Sequence, residues 1–113
     1  FMGRLAVVPM VLEARGLDVT PGMIKLFQQA KDKQAVEALG IIYAEEVHHV
    51  AYGSKWFHFI CGRHDLDPTG VFHDLVRKYF HSDLKPPFNE EKRAEAGIPP
   101  DFYWPLAGGK PSV

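Results

Sequence analysis

Apolar positions recur along this chain at the three- and four-residue spacing of helix faces, and no segment shows the strict alternation of a half-buried strand. The predicted class is all-α. Arg4 to Leu17 reads as a first helix, with Ala6, Met10 and Leu17 on one stripe and a carboxylate, Glu13, on the same stripe. Gly16 is placed to end it, and Pro9 predicts either a late start to the regular helix or a kink. Asp18 to Gly22 reads as a connection in which Thr20 caps, and Pro21 opens, a short helix from Met23 to about Lys31.

Asp32 is a further N-cap, opening the longest element from Lys33 to about Cys61, with Gly62 as its stop. Its stripe runs through Ala35, Leu39, Ile42, Tyr43, Glu46, His49, Val50, Gly53, Phe57 and Ile60, so a glutamate and a histidine interrupt an otherwise apolar face. Asp67 and Pro68 supply cap and first position for another helix, whose predicted buried face is Val71, Phe72, Leu75, Val76, Tyr79 and Phe80. Beyond Ser82 the prolines multiply. An Asn89-capped helix from Glu90 to Ala96 is expected there, and then an irregular tail over 98–113 with a loose final Gly-Gly-Lys-Pro-Ser-Val.

Length sets the scale: 113 residues, 46% hydrophobic and 24% charged, suffice for one domain over 1–113 with a single core. The net charge of -1 offers no global field for nucleic acid or an anionic membrane, and no apolar run reaches the ~20 residues of a membrane span. Cys61 is the single cysteine, so no internal disulfide forms; with no charged-then-apolar leader, a cytoplasmic location is expected. A start at Phe1 with helical pattern already running at Leu5 reads as a fragment or processed product.

The candidate chemistry lies in Tyr43-Ala-Glu-Glu-Val-His-His-Val50, which holds two overlapping Glu-x-x-His pairs, Glu45 with His48 and Glu46 with His49. Residues three apart share a helix face, and a carboxylate with an imidazole suits iron or manganese. Helical phase separates the pairs: Glu46 and His49 share the stripe of Leu39, Ile42, Val50, Gly53 and Phe57, whereas Glu45 and His48 point about 100° away. A lone Glu-x-x-His is commonly a solvated helix face. Glu13 strengthens the metal reading, because a carboxylate on an apolar stripe is costly to bury and ligation compensates it. In four-helix di-iron proteins two helices each give a Glu and two each give Glu-x-x-His. Glu13, Glu46 and His49 follow half of that pattern.

The run Arg4-Leu-Ala-Val-Val-Pro-Met-Val-Leu-Glu-Ala-Arg-Gly-Leu-Asp-Val-Thr-Pro-Gly-Met23, with Glu46-Val-His-His-Val50 and Trp56-Phe57, resembles an uncharacterised bacterial family of the ferritin-like superfamily, specifically its C-terminal half. That family is distantly similar to the di-iron tRNA hydroxylase acting on a hypermodified adenosine. The resemblance implies a half-bundle of two long antiparallel helices plus shorter C-terminal helices. Glu13 matches the family's third-helix glutamate, Glu46 and His49 match its fourth-helix Glu-x-x-His, and His48 departs from the family's pattern. It also implies that the remaining ligands come from an upstream half or, with two-fold symmetry, from a second copy in a homodimer.

The expected cofactor is then two iron ions per complete site, with manganese or zinc as alternatives, in an oxidoreductase or hydroxylase that activates dioxygen. The rival reading is a ferritin-like structural or assembly module with weak or no metal binding. Tyr43, Arg15 and Asp18 are candidates for orienting a ligand, against plain packing for Tyr43, a surface role for Arg15 and a turn role for Asp18. Trp56, Phe57 and Phe59 are expected to line the bundle beneath the site, and Cys61 to be a small core residue. His58, His64, His73 and His81 read as surface or satisfied histidines. Lys25, Lys31, Lys33, Arg77 and Lys78 are the candidates for the RNA-facing patch that the hydroxylase analogy requires, or are simply solvated.

Overall fold

The computed structural model describes residues 1–108, and its first helical run does not stop at Gly16. Helix α1 (Met2–Val7), a π-helical segment (Val8–Glu13) and α2 (Ala14–Gln29) follow one another without a break. The predicted connection at Asp18 to Gly22 is therefore helix, with Pro21 inside it. Proline has no N–H for the carbonyl four residues back, here that of Leu17. Asn89 Nδ2 donates to that carbonyl instead, at 2.9 Å. A side chain distant in sequence thus replaces the missing backbone donor, and the helix continues.

The chain reverses at Lys31, whose φ of 60° lies in the left-handed region. Lys31 N–H bonds the Gln28 carbonyl and Asp32 N–H the Phe27 carbonyl, the double closure of a Schellman motif. Asp32 then caps α3 (Lys33–Arg63), its Oδ1 accepting from Ala35 N–H at 3.0 Å. At 1.5 Å per residue, α3 is about 46 Å long and accounts for most of the 50 Å long axis. The two long runs are antiparallel, since Pro9 faces Gly53 while Gly16 faces Glu46.

The later caps fall as the sequence predicts. Asp67 Oδ2 accepts from Gly70 N–H at 3.1 Å to open α4 (Pro68–Tyr79), and Asn89 Oδ1 accepts from Lys92 N–H at 3.1 Å to open α5 (Glu90–Glu95). The segment expected as an irregular tail forms α6 (Pro100–Tyr103) and a 3₁₀ turn (Trp104–Leu106) in its described part. Ile98, Phe102, Tyr103 and Leu106 are buried there, so apolar burial orders a segment whose prolines read as punctuation. The looseness expected at the end of the chain falls mainly on 109–113, outside the described residues. Among the described residues there is no strand, only an isolated parallel bridge between Leu84 and Ala107.

Burial is lopsided along the long axis. Ala6, Met10, Ala14 and Leu17 from the first run meet Val50, Phe57 and Cys61 of α3, with Phe72 and Val76 of α4 and Phe102 and Tyr103 behind them. No residue from Pro21 to His49 is buried. The predicted stripe of α3 is therefore only partly covered: Ala35 and Leu39 are half-buried, while Ile42 is 51% exposed. Trp56 and Phe59 also differ from expectation; both are exposed and meet edge to face at 5.6 Å, and Phe57 alone of that cluster enters the core. Among the described residues no helix is long and apolar enough to cross a membrane.

Candidate metal centre

Glu13 closes the π-helical segment, and Pro9 explains why the segment is there. Without a Pro9 N–H, the Leu5 carbonyl has no donor four residues on, and the helix widens locally. The wider turn is seen where Ala14 N–H reaches the Pro9 carbonyl, five residues back. The widened turn presses the Pro9 ring against α3 at Gly53, where an added Cβ would lie 2.3 Å from Pro9 Cγ. Gly53 is thus the residue that lets the two helices approach. One turn before it stands His49, and one turn before that, Glu46.

The three candidate ligands come together. Glu13, Glu46 and His49 each offer a ligand atom, and these atoms all lie within 4.8 Å of one another. Both glutamates are half-buried and His49 is exposed. Glu45 and His48 are exposed and outside the group, as the phase of α3 predicts. The Glu46 side chain lies along the backbone of the first run, with its Cγ 3.4 Å from where a Cβ on Gly16 would stand.

The electrostatics of this group turn on Glu46. Glu46 Oε1 is buried with no hydrogen-bond partner among the described residues. Burial pushes the Glu46 carboxyl above its ordinary range, the neighbouring Glu13 charge pushes it further, and His49 opposes both. Two carboxylates and an imidazole converging around an orphaned oxygen suit a hard or borderline divalent ion.

The residues proposed to orient the ligands serve other ends. Asp18, whose side chain is 1% exposed, accepts from Arg93 Nε at 2.9 Å and Nη2 at 2.6 Å and from the Asn89 backbone N–H at 2.7 Å. Arg93 is itself 3% exposed and lies between the Phe88 and Tyr103 rings, 4.8 and 4.6 Å from their centroids. Arg15 lies 3.9 Å from Asp18 and donates to the Lys85 carbonyl. Tyr43 Oη accepts from Asn89 Nδ2 at 2.7 Å. None of the three hydrogen-bonds to Glu13, Glu46 or His49 among the described residues; their bonds go to Arg93, Asn89 and the Lys85 carbonyl instead.

Asn89 and Arg93 are the residues that sequence reasoning missed. Asn89 was readable only as a cap, yet it also serves Leu17, Tyr43 and Asp18. The available signals were the carbonyl that Pro21 leaves without a donor and an arginine set among Phe88, Phe102, Tyr103 and Trp104. His58 Nε2 and His73 Nε2 sit 3.2 and 2.7 Å from the Gly97 and Asp101 carbonyls, which satisfies them locally. The five basic residues of the RNA patch divide between two regions: Lys25, Lys31 and Lys33 at the hairpin end, Arg77 and Lys78 on α4, which packs against α1.

With the geometry in view, comparison with known proteins adds the family. Residues 1–104 match the family model described as "Protein of unknown function (DUF455)". An "Uncharacterized protein" of Haemophilus influenzae (strain ATCC 51907 / DSM 11121 / KW20 / Rd) is 42% identical over 95 residues, covering 84% of this chain and 33% of the relative. The chain thus spans about a third of the length of the curated relative it matches. No solved structure matches. The match over nearly all of the described helices, with the identity to this relative, makes the chain a member of the DUF455 family.

Proposed function

We propose that this chain is half of a ferritin-like bundle and contributes Glu13, Glu46 and His49 to a carboxylate-bridged dinuclear iron centre of an oxidoreductase. The observation that carries the reading is the convergence of three ligand atoms within 4.8 Å around Glu46, whose Oε1 is buried without a partner. Glu46, held against the first helical run at Gly16, His49 from the next turn and Glu13 across the helix pair would hold the metal. A bound iron pair supplies the electrons and open coordination positions with which such centres activate dioxygen. The role of this chain is to hold the ligands and exclude water from the Glu46 side.

Half a ligand set needs a second half, and the surface supports one. Leu12, Val19, Met23 and Leu26 of the first run are 39–66% exposed, as are Ile42, Trp56 and Phe59 of α3, with Tyr52 at 67%. Along α3 these positions and His49 are three, four or seven apart, so the exposed histidine sits in an exposed apolar stripe. A second helix pair, from a longer polypeptide or another copy, would cover both stripes and bring the missing ligands. Cytoplasmic residence belongs to the same reading, with Cys61 a buried free thiol.

Metal analysis of protein purified without chelators tests it. The expected result is about two iron or manganese ions per complete bundle, lost in Glu46→Ala. Metal-free protein whose helicity and association state are unchanged by Glu46→Ala would leave the structural-module reading, and a single zinc ion would assign a mononuclear site.

A further inference from the structure

A second feature lies on the far side of the turn that carries Glu13. Between the first helical run and the segment from Phe80 to Phe88 is a cavity of about 220 Å³, with walls that include Val11, Leu12, Phe80, Leu84 and Phe88. For scale, a dry apolar cavity of ~150 Å³ accepts benzene. Arg15, Lys85 and Arg93 face the same space, together with Asp18, Asp83 and Ser82.

The charges are unequal. Asp18 is fully engaged by Arg93 and the Asn89 backbone N–H, so it has little left to offer a ligand. Arg93 Nη1 makes no hydrogen bond among the described residues, although the side chain is 97% withdrawn from solvent by its 3% exposure. Arg15 and Lys85 add two cations, opposed by Asp83 and, 3.9 Å from Arg15, by the Asp18 carboxylate that Arg93 already holds. Arg15 donates to the Lys85 carbonyl, which ties the rim of the cavity to the helix.

We propose that this cavity binds a small organic anion, an aromatic or short aliphatic carboxylate, with its apolar body between Phe80, Phe88, Val11 and Leu12 and its carboxylate on Arg15, Lys85 and the free edge of Arg93. The guanidinium geometry favours this class, because a planar carboxylate pairs with arginine through two parallel hydrogen bonds. The proposal is independent of the metal centre and is read without metal. Its connection to that centre is positional: Leu12 and Arg15 flank Glu13 on adjoining turns, so an occupied cavity loads the helix segment that carries the ligand.

The test is titration of the full chain, metal-free, with phenylacetate, phenylacetamide and phenethylamine, followed by the Leu84 amide and Arg93 Nε–H resonances. Saturable shifts are expected with phenylacetate, at least about tenfold weaker with the uncharged amide, and weakest with the amine. Arg15→Gln, whose parent side chain is 44% exposed, and Lys85→Gln at an exposed position should each weaken phenylacetate about tenfold while leaving the helical spectrum unchanged. No saturable shift at millimolar phenylacetate, equal binding of the amide or amine, or undiminished affinity in the Arg15→Gln, Lys85→Gln double variant overturns the proposal.

Discussion

Replacing Gly53 by alanine should destabilise the fold and disturb the site, although alanine is the better helix former. Alone, the exchange in a helix gains about 0.5–1 kcal/mol. At Gly53, however, the new Cβ would lie 2.3 Å from Pro9 Cγ and 2.5 Å from its Cβ. Carbon atoms in contact prefer about 3.5 Å or more, so the helices must separate by roughly 1.2 Å at that turn. Neither partner can yield by a rotamer change, since one is a pyrrolidine ring and the other is backbone. Overpacking of this kind costs about 1–3 kcal/mol, and with two rigid partners the upper end applies. The net expected loss is about 2 kcal/mol. With a urea m-value of roughly 1–3 kcal/mol/M, the midpoint followed by circular dichroism should fall by about 1 M with an unchanged slope. Gly40→Ala, in the same helix with nothing within 4 Å of its added Cβ, is the internal control and should raise the midpoint. Metal content should also drop in the Gly53→Ala protein, because the displaced turn lies one turn from His49 and faces the segment ending at Glu13. If Gly53→Ala is as stable as the parent, the close approach of Pro9 is not what requires glycine there.

Three further outcomes follow from the buried polar groups. Asp18→Asn leaves Arg93 buried without its anion and should cost about 3–5 kcal/mol in chemical denaturation, whereas the double replacement Asp18→Leu, Arg93→Met should recover most of it. Because the folded chain holds the Glu46 proton more tightly than the unfolded chain, the contribution of Glu46 to metal-free stability should be fully present below the ordinary glutamate value of 4.5 and be lost as pH rises through the raised one. Glu46→Gln should flatten that fall, and an unchanged pH profile of denaturation midpoints would refute the assignment. Tyr103→Phe removes a buried hydroxyl that has no partner, so the variant should be neutral or more stable by up to about 1 kcal/mol in the same denaturation assay.

Much of the architecture was legible because it is local. Asp32, Asp67 and Asn89 cap helices using atoms three residues away, and the phase that separates Glu46 and His49 from Glu45 and His48 needs only the helical period. What the sequence concealed depends on partners far along the chain. Thr20 and Pro21 have the local chemistry of a helix start, and the helix continues through them because Asn89 serves the Leu17 carbonyl. Pro9 predicts a disturbance, but its form as a π-helical segment is coupled to Gly53 on another helix. Asp18 looks like a turn residue until Arg93, 75 positions later, is folded onto it. The periodicity of α3 put Ile42 and His49 on one stripe but did not reveal that, among the described residues, none covers that part of it.

The two departures from regular helix in the first run bear on the site in opposite ways. At Pro21 the lost hydrogen bond is replaced by Asn89, which also bonds Tyr43 Oη and, through its backbone N–H, the Asp18 carboxylate. That cross-link fixes α2 to α3 one turn from Glu46, where Asn89 and the Asp18 carboxylate have their partners. At Pro9 the lost bond is absorbed by widening the helix, and the wider turn ends at Glu13, on the side where the Glu46 oxygen has none. The chain therefore ties α2 to α3 on one side of Glu46 and leaves the Glu46 oxygen without a partner among the described residues on the other, beside an exposed apolar stripe. Of the two buried side-chain oxygens without a partner among the described residues, Glu46 Oε1 and Tyr103 Oη, only the first belongs to a carboxylate, the costlier group to bury unpaired, and that is the ground on which the metal proposal rests.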